Sequence, residues 1–177
     1  EVLKYQLDVT MIEQPAEDVA EFELLLVLKV GEDGLLKSET RLVNRTGLLK
    51  LPPSFINPDQ RTIKPSGAST EGKAALPFLP VFPETSLSVG EKWKVVESGP
   101  MDQQVEVAYE LTSLQDDIAE IVSRKRLRSR DGLRSESEVL YEFSLSRGRV
   151  LLAQTVTEAE ISSGRSLRTL CEYELEE

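Results

Sequence analysis

Histidine is missing from all 177 residues. That removes Ser-His-Asp and Cys-His catalysis outright. Cysteine occurs once, as Cys171. No internal disulfide can form, and cysteine usage gives no sign of the compartment. With so little of both residues, a zinc site has at most one of its usual nitrogen or sulfur ligands. No run of 18 apolar residues occurs, so no helical membrane span is expected. The longest apolar patch, Leu24 to Leu28, is a strand's worth. No Gly-rich phosphate loop, dinucleotide fingerprint or calcium-loop pattern is present. Cofactors are therefore expected to be none. Aromatics are few, at 6%, and Trp93 is the only Trp. Cations are outnumbered 21 to 31, which leaves a net charge of −10. A bulk attraction to nucleic acid or to anionic membrane is disfavoured by that sign.

What is there is a sheet-forming chain. Apolar residues make up 40% and run throughout, as in a globular domain. From Leu3 to Met11 apolar and polar residues alternate without an error, the mark of a half-buried strand. Ala20, Phe22, Leu24, Leu26, Leu28 and Val30 share one face of the next run. Leu25 and Val27 on its other face predict a strand covered on both sides in its middle. Gly31-Glu32-Asp33-Gly34 predicts a turn, with return along Leu35 to Val43. The plan recurs later. Strands are predicted for Val105–Thr112, Ile118–Arg128, Leu133–Leu145, Val150–Ile161 and Leu167–Leu175. The turns between them carry Gly132, Gly148 and Gly164. No segment shows a clean helical stripe.

Two stretches match in both content and spacing. Asp18-Val19-Ala20-Glu21-Phe22 resembles Asp117-Ile118-Ala119-Glu120-Ile121. Each is followed at nearly the same interval by Asp-Gly-Leu, at Asp33-Gly34-Leu35 and Asp131-Gly132-Leu133. All four tyrosines sit in Tyr-polar-apolar triplets, at Tyr5, Tyr109, Tyr141 and Tyr173. An internal strand–turn–strand duplication accounts for this, and so does chance likeness among similar strands. The expected fold is all-β, with antiparallel meander sheets forming a sandwich or an open, curved, barrel-like sheet. A single domain is expected over 1–177. Within it lie a first repeat half at about 1–51, a Pro-rich insert at about 52–100 and a second half at about 101–177.

Eight of the nine prolines fall between Pro52 and Pro100. Proline removes a ladder donor, so this stretch is poor sheet material. Asn57 to Lys73 is expected as an exposed loop. Ala75 to Pro83, apolar and Pro-rich, is expected to cross the core as extended chain. Gly90 to Val96 is expected to open the second-half sheet.

The candidate functional residues fall in two groups. Phe78, Phe82 and Trp93 either line an apolar pocket or plug one end of the core. Arg124, Arg126, Arg128 and Arg130 share a strand face in the one basic cluster of an acidic chain. They form either a docking stripe for an anionic partner or a solvated face laddered against Glu136, Glu138 and Glu142. Asp116 and Asp117, or Glu13 and Glu17, offer paired carboxylates for acid–base chemistry or calcium, but among 31 acidic residues such pairs are expected by chance, and ordinary turn chemistry explains Asp116-Asp117 better. Asn44-Arg45-Thr46 matches the glycosylation pattern, which is short and commonly fortuitous. Cys171 lies in phase with Tyr173 and Leu175, as a buried small residue would.

The stretch Leu79-Pro80-Val81-Phe82-Pro83-Glu84-Thr85-Ser86-Leu87-Ser88-Val89-Gly90-Glu91-Lys92-Trp93 resembles a motif of uncharacterised bacterial envelope proteins and lipoproteins. Those carry a Pro-rich approach, then Val-Gly-[Asp/Glu]-x-Trp opening a β meander. Phe143-Ser144-Leu145-Ser146-Arg147-Gly148-Arg149-Val150 is similar to a hairpin that recurs in them. The resemblance covers about residues 79–177. It implies a secreted or lipid-anchored β-domain, in the periplasm or cell envelope, and assigns no catalytic residue. The chain opens at Glu1 without Met or a signal-type segment. The expectation is that an N-terminal piece has been removed or that the sequence is a fragment.

The expected function is a non-enzymatic interaction module with a protein partner, as an envelope domain or an accessory subunit of a larger assembly. The alternative is a carrier of an apolar ligand, such as a lipid or lipoprotein acyl chain, between the sheet halves. A third expectation is an enzyme working through carboxylates alone, which needs two acids facing one cleft.

Overall fold

The computed structural model describes residues 2–30, 36–47, 61–63, 80–98, 104–128, 134–162 and 164–176. They hold ten strands: β1 (Val2–Gln14), β2 (Asp18–Val30), β3 (Leu36–Gly47), β4 (Arg61–Ile63), β5 (Lys92–Ser98), β6 (Gln104–Gln115), β7 (Ile118–Arg128), β8 (Arg134–Ser144), β9 (Arg149–Ser162) and β10 (Arg165–Leu175). All pair antiparallel in one sheet of order β4-β3-β2-β1-β10-β9-β8-β7-β6-β5. The sheet does not close into a barrel. A sandwich was one of the two expected forms; the open single sheet is what forms. No described helix is long and apolar enough to cross a membrane.

The order is a meander cut in an unexpected place. β1 and β10 pair side by side in the middle, Tyr5 opposite Leu175 and Gln14 opposite Ser166. The chain jumps instead from edge to edge, between β4 and β5. β4 ends and β5 begins at the same end of the sheet, because Ile63 pairs with Leu36 and Lys92 with Glu110. The β6–β7 and β8–β9 turns lie at that end too. It is called the insert end below. The β1–β2 and β9–β10 turns mark the opposite end.

Alternation decides the two faces. On the inner face Tyr5, Leu7, Leu26, Leu28, Val107, Tyr109, Leu111, Ile121, Val139, Tyr141, Ala153 and Tyr173 form one core cluster. All four tyrosines are in it, and Tyr5 is 0% exposed. The Tyr5 hydroxyl reaches past β10 to donate to the Val150 carbonyl on β9, at 3.0 Å. Four register shifts bend the strands, among them one between Glu23 and Leu24 and one between Glu142 and Phe143. A bulge of this kind increases local twist and lets a wide sheet curve. One bulge leaves Val43 outside the ladder, and its side chain is exposed. On the outer face of β2, Val27 is buried and Leu25 half-buried, as the double-sided pattern predicts.

One expectation for the insert needs correction. Arg61–Ile63, placed in an exposed loop from its polar and Pro-rich surroundings, pairs with β3. β5 opens the second run of strands, where Gly90 to Val96 predicts it. Its ladder with β6 has no Pro to interrupt it, and Trp93 and Val95 face the core.

Candidate functional site

The motif ending at Trp93 builds a latch at the insert end. Gly90 has φ +87°, a conformation that favours Gly. It lets the Gly90 N–H reach the Leu111 carbonyl at 2.7 Å, while the Leu111 N–H donates to the Glu91 carbonyl. The Glu91 carboxylate accepts from the Ser88 N–H at 2.9 Å and so closes the turn. Trp93 then stacks on Tyr109, with ring centroids 5.3 Å apart and planes 8° apart. Its other side meets Phe82 at 6.4 Å, and its indole N–H donates to the Val81 carbonyl at 2.7 Å. Phe82 also packs edge-on against Phe143 at 4.9 Å. Trp93 packs against the core cluster at this end of the sheet. Phe82 remains 41% exposed. Phe78 lies outside the described residues.

Beside the latch a single carboxylate ties two hairpins together. Asp117 accepts from the Ser144 hydroxyl at 2.6 Å, and from the Ser146 hydroxyl and N–H, both at 2.7 Å. Its carbonyl accepts from the Leu145 N–H. The Ser144 hydroxyl bond, the largest influence, holds the Asp117 carboxyl below its usual range, with Ser146 and Arg147 adding to it. Asp116 supplies the positive φ of the turn, 51°. Glu17 holds the matching place before Asp18, with φ 56°. The acidic pair is turn chemistry, as one of its two readings had it. The sequence signal for the cross-hairpin bonds is only Ser-x-Ser after β8, which names no partner.

The arginine stripe is a ladder. Arg124 pairs with Glu138 at 2.6 Å and Arg126 with Glu136 at 3.2 Å, on directly opposed positions of β7 and β8. The side-chain bond to Glu138 raises the Arg124 pKa further. The expected third rung does not form, since Glu142 stands opposite Glu120. Arg128 is opposite Arg134 in the backbone register, and Arg130 lies outside the described residues. Lys92–Glu110, Lys94–Glu106 and Arg168–Glu158 extend the same pattern over the outer face. Pairs this exposed are screened and contribute little to stability, but they keep the face solvated.

The inner face changes character along its length. Near the insert end it is apolar and closed. Cys171 is 9% exposed, and burial pushes its thiol up to about 12, so it stays protonated at neutral pH. Burial likewise pushes Tyr5 up to about 12 and raises Tyr173 well above its ordinary value. Towards the other end hydroxyls take over. Ser123, Ser135, Ser137, Thr155, Thr157 and Thr169 all carry the inward phase, and Lys125 stands opposite Ser137. A cleft of about 480 Å³ opens at this rim, lined mostly by charged side chains, among them Arg134, Glu136, Glu158, Glu160, Arg165 and Arg168, with Ala159 and Leu167 its inward members. Sequence reasoning missed this group, because small hydroxyl residues also suit a solvent face. Their phase with Ala153 and Cys171 is the signal that could have found them. Among the described residues, no group of three acidic or cysteine side chains could hold a metal ion.

No protein-family model matches this chain, and no curated protein matches it.

Proposed function

We propose that this domain is a non-enzymatic interaction module of the bacterial envelope, and that it engages a protein partner through its insert end. One observation carries the reading. Phe82, Val89, Leu114 and Leu145 are between 41% and 56% exposed, and all four lie at that end. They stand on rigid supports: Phe82 on the Trp93 latch, Val89 on the Gly90 turn and Leu145 on the Asp117 tie. Exposed apolar side chains held in fixed positions suit a partner's surface, because little ordering entropy remains to be lost on docking. The envelope placement is supported by the resemblance over residues 79–177. The Asp117 and arginine carboxylate contacts all serve turns or ladders, which favours binding over carboxylate catalysis.

The carrier of an apolar ligand between Phe22–Val30 and Phe78–Trp93 has less in its favour. Leu26 and Leu28 are 1% exposed, and Trp93 is stacked between two rings. That part of the interior is filled by the chain's own side chains.

A photo-crosslinking residue at position 82, and another at the outer-face position 154, test the interaction reading in native cells. A defined protein adduct at 82 and none at 154 is expected. No adduct at 82, or equal adducts at both positions, overturns it.

A further inference from the structure

The β8–β9 ladder stops one rung early. Its last opposed pair is Ser135 and Ala159, next to Glu136 and Glu158. In the same register the following pair would be Arg134 and Glu160, which carry opposite charges. Arg134 still pairs along the backbone with Arg128 of β7, and Glu160 with Ser166 of β10. Each strand thus keeps its other neighbour while the two part from each other. Both residues line the cleft of about 480 Å³ at this rim.

The remaining charges of the cleft are committed. Glu136 pairs with Arg126 at 3.2 Å, Glu158 with Arg168 at 3.8 Å, and Arg165 with Glu13. Arg134 and Glu160 are exposed, and neither side chain makes an ion pair or hydrogen bond among the described residues. This departs from the habit of the outer face. Arg124 and Glu138, Arg126 and Glu136, and Arg168 and Glu158 each meet across adjacent strands. An opposed Arg and Glu ordinarily support a ladder by meeting directly. Here they reach one cleft from two strands and do not touch.

We infer that this cleft binds an α-amino acid with an aliphatic side chain, which completes the missing rung. The ligand's carboxylate takes a bidentate pair from the Arg134 guanidinium, and its ammonium meets the Glu160 carboxylate. A zwitterion suits the site because the two uncommitted charges are one of each sign. A simple anion or cation would satisfy one and leave the other. The planar guanidinium fork matches a carboxylate in shape as well as in charge. Ala159 and Leu167 are the apolar side chains of the lining, and both are half-buried. They receive the side chain of the ligand. The cleft volume falls in the range of small-molecule sites, about 300–1,000 Å³. The site lies at the end opposite Phe82, and it stands or falls independently of the interaction reading.

Titration calorimetry of the whole chain with leucine tests the inference. One-to-one binding is expected. Two probes each lack one charge: isocaproate has no ammonium, and isoamylamine has no carboxylate. Each should bind at least about tenfold more weakly than leucine, the loss of one charge-assisted contact. Glycine, without the side chain, should also bind about tenfold more weakly. Variants assign the two ends of the ligand. Arg134→Gln weakens leucine about tenfold and leaves isoamylamine unchanged. Glu160→Gln weakens leucine about tenfold and leaves isocaproate unchanged. Both side chains are exposed and make no bond, so both variants keep the parent's unfolding temperature. Arg124→Gln, outside the cleft, leaves leucine binding as it is. The inference is overturned if leucine does not bind, or if either single-charge probe binds as tightly. Unchanged leucine affinity in Arg134→Gln or Glu160→Gln overturns it as well. So does glycine binding as tightly as leucine.

Discussion

The two ends of the sheet solve the problem of a single buried face in opposite ways. At the insert end, large rings and a returning chain segment fill the inner face. Trp93 is held by Tyr109, Phe82 and the Val81 carbonyl at once. At the other end a smaller cluster of Met11, Ala20 and Phe22 shares the inner face with the Ser and Thr row of β8, β9 and β10. The rings of Phe82, Trp93, Tyr109 and Phe143 gather at the first end, and small hydroxyl residues are more frequent at the second. Packing stabilises the first end. Backbone geometry and polar contacts shape the second, where Arg165 pairs with Glu13 across the β10–β1 ladder.

The largest test removes the Trp93 indole. Trp93→Ala is expected to cost about 3 kcal/mol, as for a large ring taken from a core. Leu167→Ala at the opposite rim, where the side chain is half-buried, should cost about 1 kcal/mol. Urea unfolding of both variants checks the contrast, and equal losses would break it.

A second contrast concerns two glycines. Gly47, at the end of β3, has φ +100°, and a Cβ there would lie 2.3 Å from the Val19 carbonyl oxygen. Gly148, in the β8–β9 turn, has φ +63° and open space around it. Gly47→Ala should therefore cost more than about 2 kcal/mol, because backbone must move as well as strain. Gly148→Ala should cost about 1 kcal/mol, the left-handed penalty alone. Thermal unfolding of the pair sharpens where backbone, rather than side chains, fixes the far end.

The smallest effect is in pH. Asp117 has a depressed pKa in the folded chain, so its bonds stabilise the protein above the ordinary carboxylate range. That contribution is lost as pH falls through the folded value. Asp117→Asn should lower the unfolding midpoint at pH 7 and flatten its fall in acid. A variant whose acid profile matches the parent would remove Asp117 from the account of the insert end.

Strand identity was legible because alternation is a local property. Ile118–Arg128 begins and ends as predicted, and the chain reverses at the turns of Gly148 and Gly164, while Gly31, Gly34 and Gly132 lie outside the described residues. Partners were not legible. Period two tells which face a side chain takes, not which strand lies beside it, so nothing in Leu3–Met11 named β10 as its neighbour. β4 escaped because three residues are too few to show alternation, and prolines flank them. Trp93 had two readings, pocket wall or plug, and its stacking on Tyr109 shows only that one ring face is covered. The hydroxyl row was hidden for another reason. Ser137 and Thr157 look like solvent residues until their strand is placed against Ala153 and Cys171.

The β1–β10 ladder has a consequence for how the molecule comes into being. Of these ten strands, the earliest in the chain is completed only by the latest. Until then β1 offers a bare edge, and the Leu-rich β2 beside it has only β3 as a second neighbour. Pairings so distant in the chain form slowly, and unpaired edges invite association with other chains in the meantime. The middle of the finished sheet, its best-protected ladder, is therefore the seam that newborn copies of this chain leave open longest.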